Sequence, residues 1–225
     1  MRRPPLRVAT LVTLAAIAAC AVPAARAQDP AKESAKESAK DRMPPIPEQS
    51  YTDAQKKAAE QFAEGRGYQV RGPFVPLIRS PEVMLRAKAM GDYLRFKSTI
   101  PPRLSEMVIL IVSREWTQQY EWVAHHDIAI KAGLSPAIAD SIADGSRPAA
   151  MSAEEEAAYD LSIEIQRTKR VSDATYAKAI AKFGEQGVID LLGINGYYTL
   201  LAMTMNATRT GLPAGVPEPL KRYPE

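Results

Sequence analysis

The strongest constraint on this chain is its punctuation. From residue 52 onward, residues that open helices and residues that close them recur, with little of the period-two alternation that marks strands. Thr52 and Gln55 have the spacing of a capping box, in which two side chains satisfy backbone donors at a helix start, for a helix closed near Gly65. Ser80-Pro81 opens a helix to about Phe96, because proline is tolerated in a first turn whose N–H groups lack intrahelical acceptors. Pro101-Pro102 opens the next, to about Trp116, and Thr117 can cap another that Gly133 closes. Ser135-Pro136 begins a short helix to Gly145, and Ser152 with Glu155 forms a second capping box for a helix to about Lys169. Ser172 caps a helix ending at Gly184, and a last one covers about 186–208. The expectation is an all-α bundle of about seven or eight helices.

The N-terminus reads as an export signal over residues 1–27. Arg2, Arg3 and Arg7 are followed by an apolar stretch, Val8–Ala19, too short to span a bilayer, and Ala25-Arg26-Ala27 gives the small-x-small pattern of a cleavage site. The composition of 23–27 favours cleavage after Ala27 and a periplasmic product. Ile17-Ala18-Ala19-Cys20 resembles a lipoprotein box, which would anchor the chain to a membrane through Cys20. Removing Arg2, Arg3, Arg7 and Arg26 from 29 basic residues leaves 25 against 26 acidic ones, so the charge favours neither nucleic acid nor an anionic membrane. Cys20 is the only cysteine in the sequence, so the remainder has no thiol for a disulfide or for catalysis.

Residues 28–50 read as a low-complexity tether: Ala31-Lys32-Glu33-Ser34 recurs as Ala35-Lys36-Glu37-Ser38, with no apolar face to bury. The helical domain is expected over 51–215, and a Pro-rich tail over 216–225.

Two expected helices carry the chemistry. Met107–Val112 is apolar on every side and must be buried, with Glu106 on its first turn. In the following helix Gln118, Glu121, Trp122, His125, Ala129 and Ala132 share one stripe at 100° per residue, and Trp122 and the alanines make that stripe the inward one. Glu121 and His125 are therefore polar residues on a packing face at i,i+4 spacing, close enough to touch. A histidine held against carboxylates on an apolar wall is a general acid–base arrangement. The plainer account is a satisfied core histidine tying two helices together. His126 points about 100° away and reads as structural or as part of an interface. A metal site could draw only on His125, Glu106 and Glu121, without paired-histidine spacing, so neither metal nor cofactor is expected.

Glu106, then Gln118-Gln119-Tyr120-Glu121-Trp122-Val123-Ala124-His125, Ala129 and Gly133, resembles the signature of the carboxymuconolactone decarboxylase family, which includes the alkylhydroperoxidase D proteins. Further similarity lies in Pro76–Glu82, Tyr198–Leu201 and Asn206-Ala207. The resemblance implies an alkylhydroperoxidase D-like helical bundle that assembles into trimers or hexamers. It also implies that Glu106, Glu121 and His125 are catalytic. The peroxidase branch carries a CxxC pair where this chain has Gln118 and Glu121, so the decarboxylase-like branch is the better match.

The leading expectation is lyase- or isomerase-type acid–base chemistry on a small lactone or carboxylate, with Trp122, Tyr120, Gln118 and Arg79 facing the substrate. Arg71, Arg103 and Arg114 are further candidate cations for an anionic substrate. The alternatives are a peroxidase-like activity by descent, and a non-enzymatic exported oligomer or ligand-binding module.

Overall fold

The computed structural model describes residues 41–64 and 66–221. The chain divides into two compact units, 1–38 and 39–225. The first lies outside the described residues, and with it the expected signal, Cys20 and most of the tether.

Among the described residues there are eight α-helices and no strand. They are α1 (Asp53–Ala63), α2 (Phe74–Leu77), α3 (Pro81–Phe96), α4 (Pro102–Glu115), α5 (Gln119–Lys131), α6 (Pro136–Ala143), α7 (Ala153–Thr168) and α8 (Asp173–Thr208). The all-α expectation is met.

Helix α4 is the axis of the fold. Leu104 and every residue from Met107 to Val112 are 0% exposed, because α5, α6, α7 and α8 surround the helix. Its uniform apolarity leaves it no wet face, so it forms only as the others close around it. Truncating any one of these side chains to alanine would cost roughly 2–5 kcal/mol.

Helix α8 is interrupted where the sequence calls for a stop. Gly184 has φ 64° and ψ −179°, a conformation glycine adopts without a Cβ penalty, and the helix resumes after it. Beyond the kink, Val188, Leu191, Asn195, Tyr198, Ala202 and Met205 form one buried stripe at alternating steps of three and four residues.

Both expected capping boxes are formed, Thr52 with Gln55 and Ser152 with Glu155. The cap of α5 is corrected. Thr117 takes a left-handed φ of 45°, and Gln118 is the N-cap, its side-chain oxygen accepting from the N–H groups of Tyr120 and Glu121. The longer carboxamide reaches the same orphan donors that a hydroxyl would have served. The short α2 went unanticipated, since four residues between Pro73 and Ile78 are too few to show a period.

Two extended segments lie along the bundle. The Arg42 N–H and guanidinium donate to the carbonyls of Thr208 and Ala207. At the other end, Leu220 is buried and held from both sides by the Gln119 carboxamide, while Arg114 donates to the Lys221 carbonyl at 2.6 Å.

Candidate functional site

A cavity of about 340 Å³ opens beside the α4–α5 pair. Helix α5 contributes Tyr120, Glu121 and His125, α3 contributes Arg95, and α8 contributes Tyr197, Tyr198, Leu201 and Met205. The segment leading into α2 closes one side with Arg66, Tyr68, Arg71 and Gly72. Gly72 is required there: a Cβ at this left-handed position would stand 2.8 Å from the Tyr120 ring.

His125 Nδ1 lies 2.6 Å from Glu106 Oε2, a short contact between two buried side chains on adjacent helices. With Glu106 ionised, Nδ1 carries the proton and Nε2 is left with the lone pair. The edge of the ring meets Tyr198, with centroids 5.1 Å apart and planes at 86°, which fixes its orientation. On the far side of Glu106, an Arg95 terminal nitrogen stands 4.0 Å from Oε1. Arg95, Glu106 and His125 thus form a line from α3 through α4 to α5.

Glu121 does not join that line. The i,i+4 spacing allowed contact with His125, but no hydrogen bond forms between them. Instead the carboxyl turns to α4, where Ser113 Oγ lies 3.2 Å from Oε1. Ser113 Oγ also donates to the Ile109 carbonyl at 2.8 Å. The one hydroxyl proton of Ser113 is thus divided between the Ile109 carbonyl and Glu121 Oε1, with the shorter contact to the carbonyl. Burial pushes the Glu121 carboxyl well above the usual range, against the opposing hydrogen bond from Ser113. Oε2 is buried and has no partner.

Both tyrosines of α8 are held as phenols. Burial pushes Tyr197 up to about 12, with Arg66 and Arg95 pulling the other way, and burial also raises Tyr198. His125 and Glu121, whose carboxyl burial holds above its usual range, line the same cavity.

The sequence-derived candidates divide. His125, Glu121 and Tyr120 line the cavity, and Glu106 lies behind His125. Trp122 does not line it. It is buried and stacks on His126, with centroids 5.9 Å apart. Gln118 caps α5 and donates to Asn206 Oδ1 at 2.7 Å. Arg79 is spent on the carbonyls of Val75 and Pro44. Of the further arginines only Arg71 lines the cavity; Arg103 pairs with Glu155 and Arg114 holds the tail. Arg66, Arg95 and Tyr197 were not singled out. For Arg95 a signal existed: it falls one turn after Gly91 on the stripe that Met84 begins, the inward face of α3. Among the described residues, no three His, Cys, Asp or Glu side chains are grouped to hold a metal ion.

The fold is similar to that of an alkylhydroperoxidase AhpD core. It superposes with a TM-score of 0.63 on the crystal structure of an uncharacterized peroxidase-related protein from Ralstonia eutropha JMP134, described as such a core. The identity is 18% over 77% of this chain and 93% of that one. Residues 81–163 match the carboxymuconolactone decarboxylase family, a region that contains Glu106, Glu121 and His125. The sequence match is thus confined to residues 81–163, and the structural match shows the fold. No curated protein matches the chain.

Proposed function

We propose that the chain is a carboxymuconolactone decarboxylase-like enzyme that moves protons on a small lactone or carboxylate. One observation carries the reading: His125, fixed through Nδ1 by Glu106, shares a cavity wall with Glu121, a partly unpartnered acid whose carboxyl burial pushes well above the usual range. His125 Nε2 removes a proton from the carbon next to a carbonyl, and Glu121 delivers one to the far end of the resulting enolate. Transfer of a proton from the imidazolium back to Glu121 restores both groups. A cavity of about 340 Å³ suits a ligand at the small end of the usual range. The three arginines along its wall favour an anionic one. Dithiol peroxide reduction is disfavoured, because Gln118 and Glu121 stand where the resemblance places a cysteine pair.

The test is turnover of carboxylate-bearing unsaturated γ-lactones in D₂O, followed by deuterium incorporation at carbon and by CO₂ release. His125→Gln keeps a polar group beside Glu106 and removes the base. It should lower turnover by about 10²-fold or more while the protein stays folded by circular dichroism. Undiminished turnover in the folded variant overturns the assignment of His125 as base. We further propose export as a homo-oligomer without nucleic-acid partners. Cell fractionation and sizing in solution test export and assembly.

A further inference from the structure

Three arginines border the cavity, and they are not equivalent. Arg66 is already consumed: its Nε and one terminal nitrogen donate to Asp92 at 3.0 and 2.6 Å, and its guanidinium lies over both the Phe62 and the Phe74 ring, at 4.9 and 5.1 Å. Arg71 is exposed and rests on the Tyr68 ring at 3.8 Å, where water and salt screen its charge. Arg95 differs from both. Its side chain is 24% exposed and passes the Phe96 ring at 5.1 Å, its Nε is buried without a hydrogen-bond partner, and its one ion-pair contact among the described residues, Glu106 Oε1, stands 4.0 Å away. That distance is too long for a hydrogen bond and short enough for attraction. Arg95 is thus held at the site while its fork of donors is largely unspent.

An arginine fork matches a carboxylate with two parallel hydrogen bonds, and such a bond gains strength where water is largely excluded. We propose that Arg95 is the anchor for a carboxylate group of the ligand and seats it beside His125. The inference rests on the acid–base reading of the same cavity. It deepens that reading by naming the residue that selects for charge: an anion bridging from Arg95 places its neighbouring carbon next to the imidazole that Glu106 orients. Leu201, Met205 and Ile128 supply apolar wall for the rest of the molecule.

The experiment needs no turnover, so its failure and the failure of the catalytic reading are distinguishable. The full chain is titrated with benzoate and with benzamide, a neutral ligand of nearly the same shape. Binding is read on the His125 ring signals by NMR. The sequence holds only two histidines, and His126→Gln assigns the other. Wild type should prefer benzoate by about tenfold or more, the scale of one charge-assisted contact. Arg95→Met should erase that preference, bringing benzoate down to the affinity of benzamide. Arg71→Gln should change it by less than about threefold. Should Arg95→Met fail to fold, Arg95→Lys, which keeps the charge and loses the fork, should reduce the preference severalfold. Equal binding of the two ligands by wild type overturns the proposal. So does a preference that survives loss of the Arg95 guanidinium, or one that Arg71→Gln abolishes.

Discussion

Two polar clusters lie inside the same bundle, and they are finished to different degrees. In the first, Trp116 Nε1 donates to Gln166, whose Nε2 donates to Asn195 Oδ1 and Thr199 Oγ1. Asn195 in turn donates to Ser162 Oγ and to the Leu191 carbonyl, both at 3.0 Å. None of their side-chain nitrogens or oxygens is buried without a partner. In the second, Arg95, His125 and Glu121 line a cavity with Glu106 behind His125, and two buried atoms, Arg95 Nε and Glu121 Oε2, remain unpaired. Asn195 and Tyr198 lie one turn apart on α8, so a single helix serves both. The comparison separates polar groups that hold helices together from polar groups held ready for something else.

Breaking the closed cluster should have the largest effect on stability. Asn195→Ala removes the donor to Ser162 Oγ and one of the two acceptors of Gln166 Nε2, and leaves a void beside them. The expected loss is about 2–3 kcal/mol, or a fall in Tm of roughly 5–10 °C for a domain of this size. Thermal unfolding checks it. A change in Tm within error would mean that the chain of bonds from Trp116 to Ser162 carries no stability.

The open cluster should respond the opposite way. Burial raises the Glu121 carboxyl in the folded state, so between its unfolded and folded values only the native protein keeps the proton. Stability from this group is therefore complete below the unfolded value of about 4.3 and declines as pH rises through the folded one. Glu121→Gln removes the titration while keeping the shape. The variant should match wild type near pH 4 and exceed it at pH 7–8, by about 1.4 kcal/mol for each unit of displacement. Denaturant unfolding across that range measures the slope, and parallel profiles for the two proteins would show Glu121 to be ionised in the fold.

How much of this was legible follows from where the determining interactions lie. The helices were readable because their signals are local: two capping boxes, a proline at the start of α3 and of α4, and Gly184 at the kink all act within a turn. Glu106, Glu121 and His125 were readable because polar residues on an apolar stripe stand out. What they touch was not. The i,i+4 relation brought Glu121 within range of His125, but Ser113 on α4 competed for the carboxyl and Glu106 for the imidazole. Those partners depend on how α4 and α5 cross, which no spacing within either helix encodes. Arg95 and Arg66 reach the cavity from α3 and from the segment after α1, so they were hidden for the same reason.

Gln118 gives the smallest effect and the sharpest division between the two kinds of polar group. On the inward stripe of α5 it reads as facing a substrate, yet it caps the helix, accepting from Tyr120 N–H at 2.8 Å and Glu121 N–H at 3.4 Å. Its nitrogen donates to Asn206, which itself donates to the Trp116 carbonyl. Gln118→Ala should therefore lower stability by about 1 kcal/mol, as the loss of an N-cap does, with a Tm lower by roughly 2–4 °C. Benzoate affinity, read at His125, should change less than twofold, because Glu121 and His125 are also positioned by their contacts with α4. A large loss of affinity at unchanged Tm would move Gln118 into the cavity's machinery. It would also show that the start of α5, next to the fully paired cluster at Trp116, belongs to the open one.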